Sequence, residues 1–114
     1  MNLTIVAIEA HVRGNIYEIA AEGKVVSILL TFHALERITQ WRLTVQGVLQ
    51  ALLFPEEVLE GHRGRFIAHR RSKGHVLRAI YEYESTMPIV ITVYYPSAKR
   101  YFQGEGTYED HILS

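Results

Sequence analysis

Thr31-Phe32-His33-Ala34-Leu35-Glu36-Arg37 is the stretch on which the reading of this chain turns. Thr31 can cap a helix, because its hydroxyl accepts a backbone N–H that the first helical turn leaves unpaired. Glu36 is off the capping-box position, so the start signal is partial. At helical spacing Ala34, Leu35, Ile38 and Trp41 share one side and are expected to face a core. His33 and Arg37 lie four apart and so sit one above the other on a strip beside that apolar side. A histidine held against an arginine is a candidate acid–base and anion-binding pair. It is equally an ordinary solvated strip, so the residues that follow must decide.

Outward from this helix the pattern reads as α+β. Thr44 caps a second helix carrying Val45, Val48, Leu49 and Leu52 at i, i+3, i+4, i+7 spacing, and Pro55 stops it. Upstream, Leu3 to Ile8 and Val25 to Leu30 read as strands. Ile16 to Ala21 is ambiguous between helix and strand. This first quarter reads as a hairpin, a helix-bearing extension or a dimerisation arm. Downstream, Glu56 to Gly64 reads as a polar connection. Three strands follow, Arg65 to Arg71, Val76 to Glu84 and Ile89 to Tyr95, with Lys73-Gly74 as a tight hairpin turn. The expected architecture is N-terminal strands, then two helices packed on one face of an antiparallel sheet.

The register of those three strands brings chemistry together. With Lys73-Gly74 as the loop, His69 faces Arg78, Ile67 faces Ile80 and Arg65 faces Glu82. With Ser85 to Met87 as the next loop, Arg78 faces Tyr94 and Ile80 faces Thr92. The other side then holds Phe66, Ala68, Leu77, Ala79, Tyr81, Ile89, Ile91 and Val93, which is a core face. A one-residue slip would mix the two sets. The open face displays His69, Arg78 and Tyr94 across neighbouring strands, with Lys99 just beyond. Histidine exchanges protons near neutrality, arginine is a forked phosphate ligand, and tyrosine donates a hydrogen bond or stacks a base. These are the parts of metal-free RNA cleavage. They are also what cross-strand pairing places on an open face with no chemistry.

Length and composition bound the rest. The chain has 114 residues, enough for one modest core, and no cysteine. The longest apolar run, Val25 to Phe32, is far too short to span a bilayer, and no signal-peptide pattern opens the chain, so a cytoplasmic protein without a membrane partner is expected. Formal net charge is zero, from 12 Lys and Arg against 12 Asp and Glu. The distribution is uneven: Gly61 to Tyr81 holds Arg63, Arg65, Arg70, Arg71, Lys73 and Arg78 and no acid, while Glu56, Glu57 and Glu60 cluster just before it as a solvated face. The histidines show no metal-ligand spacing, and no phosphate loop or nucleophile elbow occurs, so no metal and no cofactor are expected.

Three further runs carry a resemblance: Arg42-Leu43-Thr44, Phe54-Pro55, and Val90-Ile91-Thr92-Val93-Tyr94-Tyr95-Pro96. Together with Thr31 to Arg37 they resemble the DUF 4258 family, grouped with the RelE-like toxin superfamily, over roughly Ile28 to Tyr101. The resemblance implies a RelE-like domain over residues 25–103, between an N-terminal extension, 1–24, and a C-terminal tail, 104–114. It implies a metal-independent endoribonuclease whose partners are RNA and an antitoxin protein. The family's helical histidine and arginine match His33 and Arg37, its strand tyrosine matches Tyr94, and its following basic residue is most like Lys99. With the register, the candidate catalytic residues are His33, Arg37, His69, Arg78, Tyr94 and Lys99. The candidate RNA contacts are Arg65, Arg70, Arg71, Lys73, Arg100 and Tyr101. The alternatives are a non-enzymatic RNA binder, or an interaction module whose basic hairpin docks an acidic partner or a second copy as a homodimer. One tension with the helix packing is plain: α-helical His33 can join the open-face group only around an edge of the sheet.

Overall fold

Segments rich in β-branched and other apolar residues open the chain as a meander of three antiparallel strands, β1 (Leu3–His11), β2 (Gly14–Ala21) and β3 (Lys24–Thr31). The segment that propensity left ambiguous is strand, because Tyr17, Ile19 and Ala21 alternate into the core. The computed structural model describes residues 2–101 and 112–113, with the side chains of Arg100 and Tyr101 outside that description. Gly14 starts β2 where the backbones close in: a Cβ there would lie 2.0 Å from the Leu30 carbonyl oxygen. Only a glycine fits.

Two helices follow, α1 (Phe32–Gln40) and α2 (Val45–Leu53), capped as expected. The Thr31 hydroxyl accepts from the Ala34 N–H at 3.1 Å, and Thr44 accepts from the Gly47 N–H at 2.9 Å. The chain then returns as strands β4 (Glu57–Glu60), β5 (Phe66–Ser72), β6 (His75–Glu84) and β7 (Met87–Tyr94), and ends its described run in a helical turn, α3 (Ala98–Tyr101). β4 is a correction: the acidic stretch expected as a solvated connection pairs in register with β5.

The seven strands form one sheet in the order β1-β2-β3-β7-β6-β5-β4. β3 and β7 run parallel, because the chain crosses over through the helices between them, so the sheet is mixed rather than antiparallel. Residues 2–24, expected as an extension, supply two of its strands, and Tyr17, Ile19 and Ala21 join the same core cluster as the helices. Both helices pack on one face. There Ala34, Ile38, Val48, Leu49 and Leu52 meet Ile28, Leu30, Ala68, Ala79 and Tyr81. Among the described residues no helix is long and apolar enough to cross a membrane.

The β5–β6 register is as read from the sequence: His69 faces Arg78 and Ile67 faces Ile80. Lys73 and Gly74 take φ of 52° and 78°, the left-handed pair of a two-residue hairpin turn. In β6–β7, Arg78 faces Tyr94 and Ile80 faces Thr92, but Tyr81 faces Val90. The extra residue, Ile91, is a bulge that turns Val90 into the core in place of Ile91 and Ile89. The second face is not open throughout either, since Leu29, Val76, Ile89 and Thr92 are buried on it.

Candidate functional site

β3 ends at Thr31, one residue after Leu30 pairs with Val90, whereas β7 runs on to Tyr94. The last residues of β7 therefore lie beyond the end of β3, and α1 packs beside them. Thr31 fixes this corner, donating its hydroxyl hydrogen to the Val90 carbonyl at 2.8 Å while capping α1. The gap is the edge around which the helix reaches the other face. Arg37 Nε donates to His33 Nε2 at 3.4 Å, its Nη1 donates to Gln40 Oε1 at 3.1 Å, and its guanidinium carbon lies 5.9 Å from the centre of the Tyr94 ring. The 3.4 Å contact is long for a hydrogen bond, and the ring distance is within cation–π range. His33, Arg37 and Tyr94, from two elements far apart in sequence, thus form one surface cluster. Tyr94 is 37% exposed, and Arg78 stands directly across from it on β6.

His69 has a different place. Its side chain is fully buried, with Nδ1 2.7 Å from Oε2 of Glu57, which is fully buried as well. The two residues face each other across β4 and β5. Burial holds the His69 imidazole below its ordinary pKa; the bond to Glu57 opposes this, and the positive charge of Arg78 adds to it. With the imidazole neutral and its proton on Nδ1, that nitrogen donates to the carboxylate. As a candidate catalytic residue His69 is corrected, since a side chain with no exposed surface cannot touch a dissolved substrate. Glu57, read as solvated, is its partner.

The basic segment is largely engaged within the protein. Arg65 lies 3.5 Å from Glu82, as its register required. Arg71 binds Glu56 through its Nη2 at 2.9 Å and its backbone N–H at 2.6 Å. The side-chain bond to Arg71 holds the Glu56 carboxyl below its ordinary pKa and raises that of Arg71. Arg70 donates to the Phe54 carbonyl at 2.6 Å. Lys73 is exposed at the tip of the hairpin, and Lys99, also exposed, is on α3 beside that tip, where Ala98 N–H donates to the Gly74 carbonyl. Lys99 is thus at the hairpin end, and no bond joins it to Tyr94 among the described residues. The side chains of Arg100 and Tyr101 lie outside the described residues. Among those described, no three His, Asp or Glu side chains are placed to hold a metal ion.

The family described as Domain of unknown function (DUF4258) matches residues 30–95, more than half of the chain. The chain belongs to the DUF4258 family. No curated protein and no solved structure matches it. The DUF4258 match takes in Thr31, His33, Arg37 and Tyr94, so the whole surface cluster falls within the family's span, and β1 and β2 fall outside it. The family's description assigns no activity. Trp41 is the residue that helical spacing misplaced: expected in the core, it is 38% exposed and lines a groove of about 550 Å³ with Arg42, Arg70, Lys73 and Tyr95. A tryptophan just past the end of a short helix, next to an arginine, was the available signal.

Proposed function

We propose that this DUF4258 protein is a RelE-like, metal-independent endoribonuclease, the toxin of a toxin–antitoxin pair. The observation that carries the reading is the convergence of His33, Arg37 and Tyr94 at the corner where β3 stops short. His33 supplies the proton-transfer group that the 2′-hydroxyl requires. Arg37 supplies a permanent charge for the phosphorane. Its long bond to His33 is weak enough for a substrate phosphate to displace, which frees the Nε2 lone pair to act as the base. Tyr94 and the adjacent Arg78 line the place of the leaving 5′-oxygen.

The test is induced expression in a bacterial culture together with RNA cleavage by the purified protein in a chelator. Wild type should arrest growth and cleave. His33→Gln should lose about 10²–10⁴-fold in rate, the usual contribution of a general acid–base. Wild-type protein that is soluble and leaves RNA intact, or a His33→Gln variant that cleaves equally well, would refute the reading. A non-enzymatic interaction module is the second reading. It is favoured by β1, one of the sheet's two edge strands, on which Val6 and Ile8 are 53% and 60% exposed. Association of inactive wild type through that edge, abolished by Ile8→Lys, would support it.

A further inference from the structure

His33 and Arg37 on α1 and Trp41 at its C-cap follow one another at four-residue steps. Each step advances about 6 Å and rotates about 40° toward the core side, so the strip leads from the exposed cluster into the groove beneath Trp41. The far wall of that groove is the end of β5 and its hairpin, with Arg70, Arg71 and Lys73, and Arg42 closes the near end. No carboxylate is among its lining residues. Glu56 lies behind, bonded to Arg71, which leaves a clear excess of positive charge. Tyr95 is committed to the wall: its hydroxyl donates to the Ser72 carbonyl at 2.9 Å and its ring stacks on His75 at 4.7 Å. Trp41 is the one aromatic residue of the groove with that much exposed ring, beside cations that suit phosphate.

We infer that this groove holds single-stranded RNA next to the scissile linkage, its phosphodiester between Arg42, Arg70 and Lys73 and one base stacked on Trp41. The choice of RNA as ligand rests on the ribonuclease reading. The groove itself rests on its own residues. An aromatic face bordered by cations is how proteins hold single strands without reading their sequence. The volume, about 550 Å³, suits a nucleotide unit, and the span of about 12 Å from His33 to Trp41 is the reach of a few nucleotides.

The backbone supplies a clean test. Arg42 and Lys73 take φ of 56° and 52°, left-handed positions at a helix end and a hairpin turn where glycine or asparagine is preferred. The Arg42→Gly/Lys73→Asn variant removes two groove cations while easing the backbone, so it should melt no lower than wild type. Binding is measured by fluorescence anisotropy with a short single-stranded 2′-O-methyl RNA, which cannot be cleaved. Between about 50 and 200 mM salt, the variant's slope of log affinity against log salt should be shallower by about 1.4, two phosphate contacts at about 0.7 each. Trp41→Ala should bind about 5- to 100-fold more weakly, and Trp41→Phe should recover most of that loss. An unchanged slope in the double variant, or wild-type affinity in Trp41→Ala, would overturn the groove. Cleavage separates the two ideas. Wild type that binds through the groove but never cleaves would overturn the ribonuclease reading alone. Cleavage by wild type with binding indifferent to all three substitutions would overturn the groove alone.

Discussion

Replacing His69 with leucine should be among the most damaging single changes in the chain, while replacing His69 and Glu57 together should be mild. Both side chains have no exposed surface, and they are joined at 2.7 Å. His69→Leu takes the histidine away from a buried carboxylate, and breaking a buried pair from one side typically costs about 3–5 kcal/mol. Arg78, across from His69 on β6, offsets part of that charge, which favours the lower end. Glu57→Leu takes an acceptor away from a neutral imidazole, at about 1–3 kcal/mol. Glu57→Leu/His69→Phe removes both demands and should cost no more than about 1–2 kcal/mol, less than the sum of the singles. Against a typical total of about 5–15 kcal/mol, the His69→Leu loss is large, a drop of roughly 10–20 °C in Tm for a domain of this size. Urea titrations of the three variants measure it. A His69→Leu cost under about 1 kcal/mol, or a double variant as unstable as the sum of the singles, would refute the buried-pair reasoning. On the proposed toxin reading, the same double variant, once folded, should arrest growth like wild type, because His69 does not reach the surface cluster.

Two further outcomes follow from the same geometry. Stability should fall on acidification below about pH 6.5: the folded-state pKa of His69 is depressed, so the unfolded chain takes up a proton first, and the loss proceeds at up to about 1.4 kcal/mol per pH unit until the folded pKa is passed. The Glu57→Leu/His69→Phe variant should show a flatter profile over that window, and an equally steep one would reject the assignment. Thr31→Val should cost about 2 kcal/mol, from the lost helix cap and the lost bond to Val90, and, on the proposed ribonuclease reading, should depress RNA cleavage further by loosening the start of α1. Thr31→Ser should restore both; a Thr31→Val protein as stable and active as wild type would count against the corner.

Much of this was legible because local signals and the register agreed. Thr31 and Thr44 announced their helices, and the facing pair His69–Arg78 followed from Lys73-Gly74 as a two-residue turn. Arg78–Tyr94 was read from a loop of Ser85 to Met87; Met87 instead pairs with Glu84, and the pair holds because the bulge at Ile91 makes up the residue. What stayed hidden depended on distant partners. Nothing in Glu57-Val58-Leu59-Glu60 says that a strand of two glutamates will bury one of them, since the stabilising group is a histidine beyond a turn. The bulge at Ile91 exchanges which of three adjacent β-branched residues face the helix-side core, and their composition is the same either way. The parallel β3–β7 pairing has no local signature, because it is made only when the helices return the chain. Trp41 was misplaced because the helical spacing was carried one residue too far: α1 ends at Gln40, and Trp41 is its C-cap, outside the helical repeat.

The zero net charge, which argues against an RNA partner when read as a sum, reads differently once the pairs are known. Arg13 is matched by Glu84, Arg65 by Glu82, and Arg71 by Glu56. All three pairs are solvent-exposed and screened, so they contribute little stability; what they do is cancel charge where it would otherwise spread over the sheet. Among the described residues, Arg37, Arg42 and Lys73 carry no carboxylate partner. Arg37 stands at the corner by Tyr94, and Arg42 and Lys73 line the groove with Trp41. A polyanion therefore meets a narrow positive track on a neutral molecule rather than a basic surface. Such a track binds few phosphates, so its affinity should depend on salt far less steeply than that of a protein coated in lysines. Neutrality and RNA binding conflict only if charge is counted instead of placed.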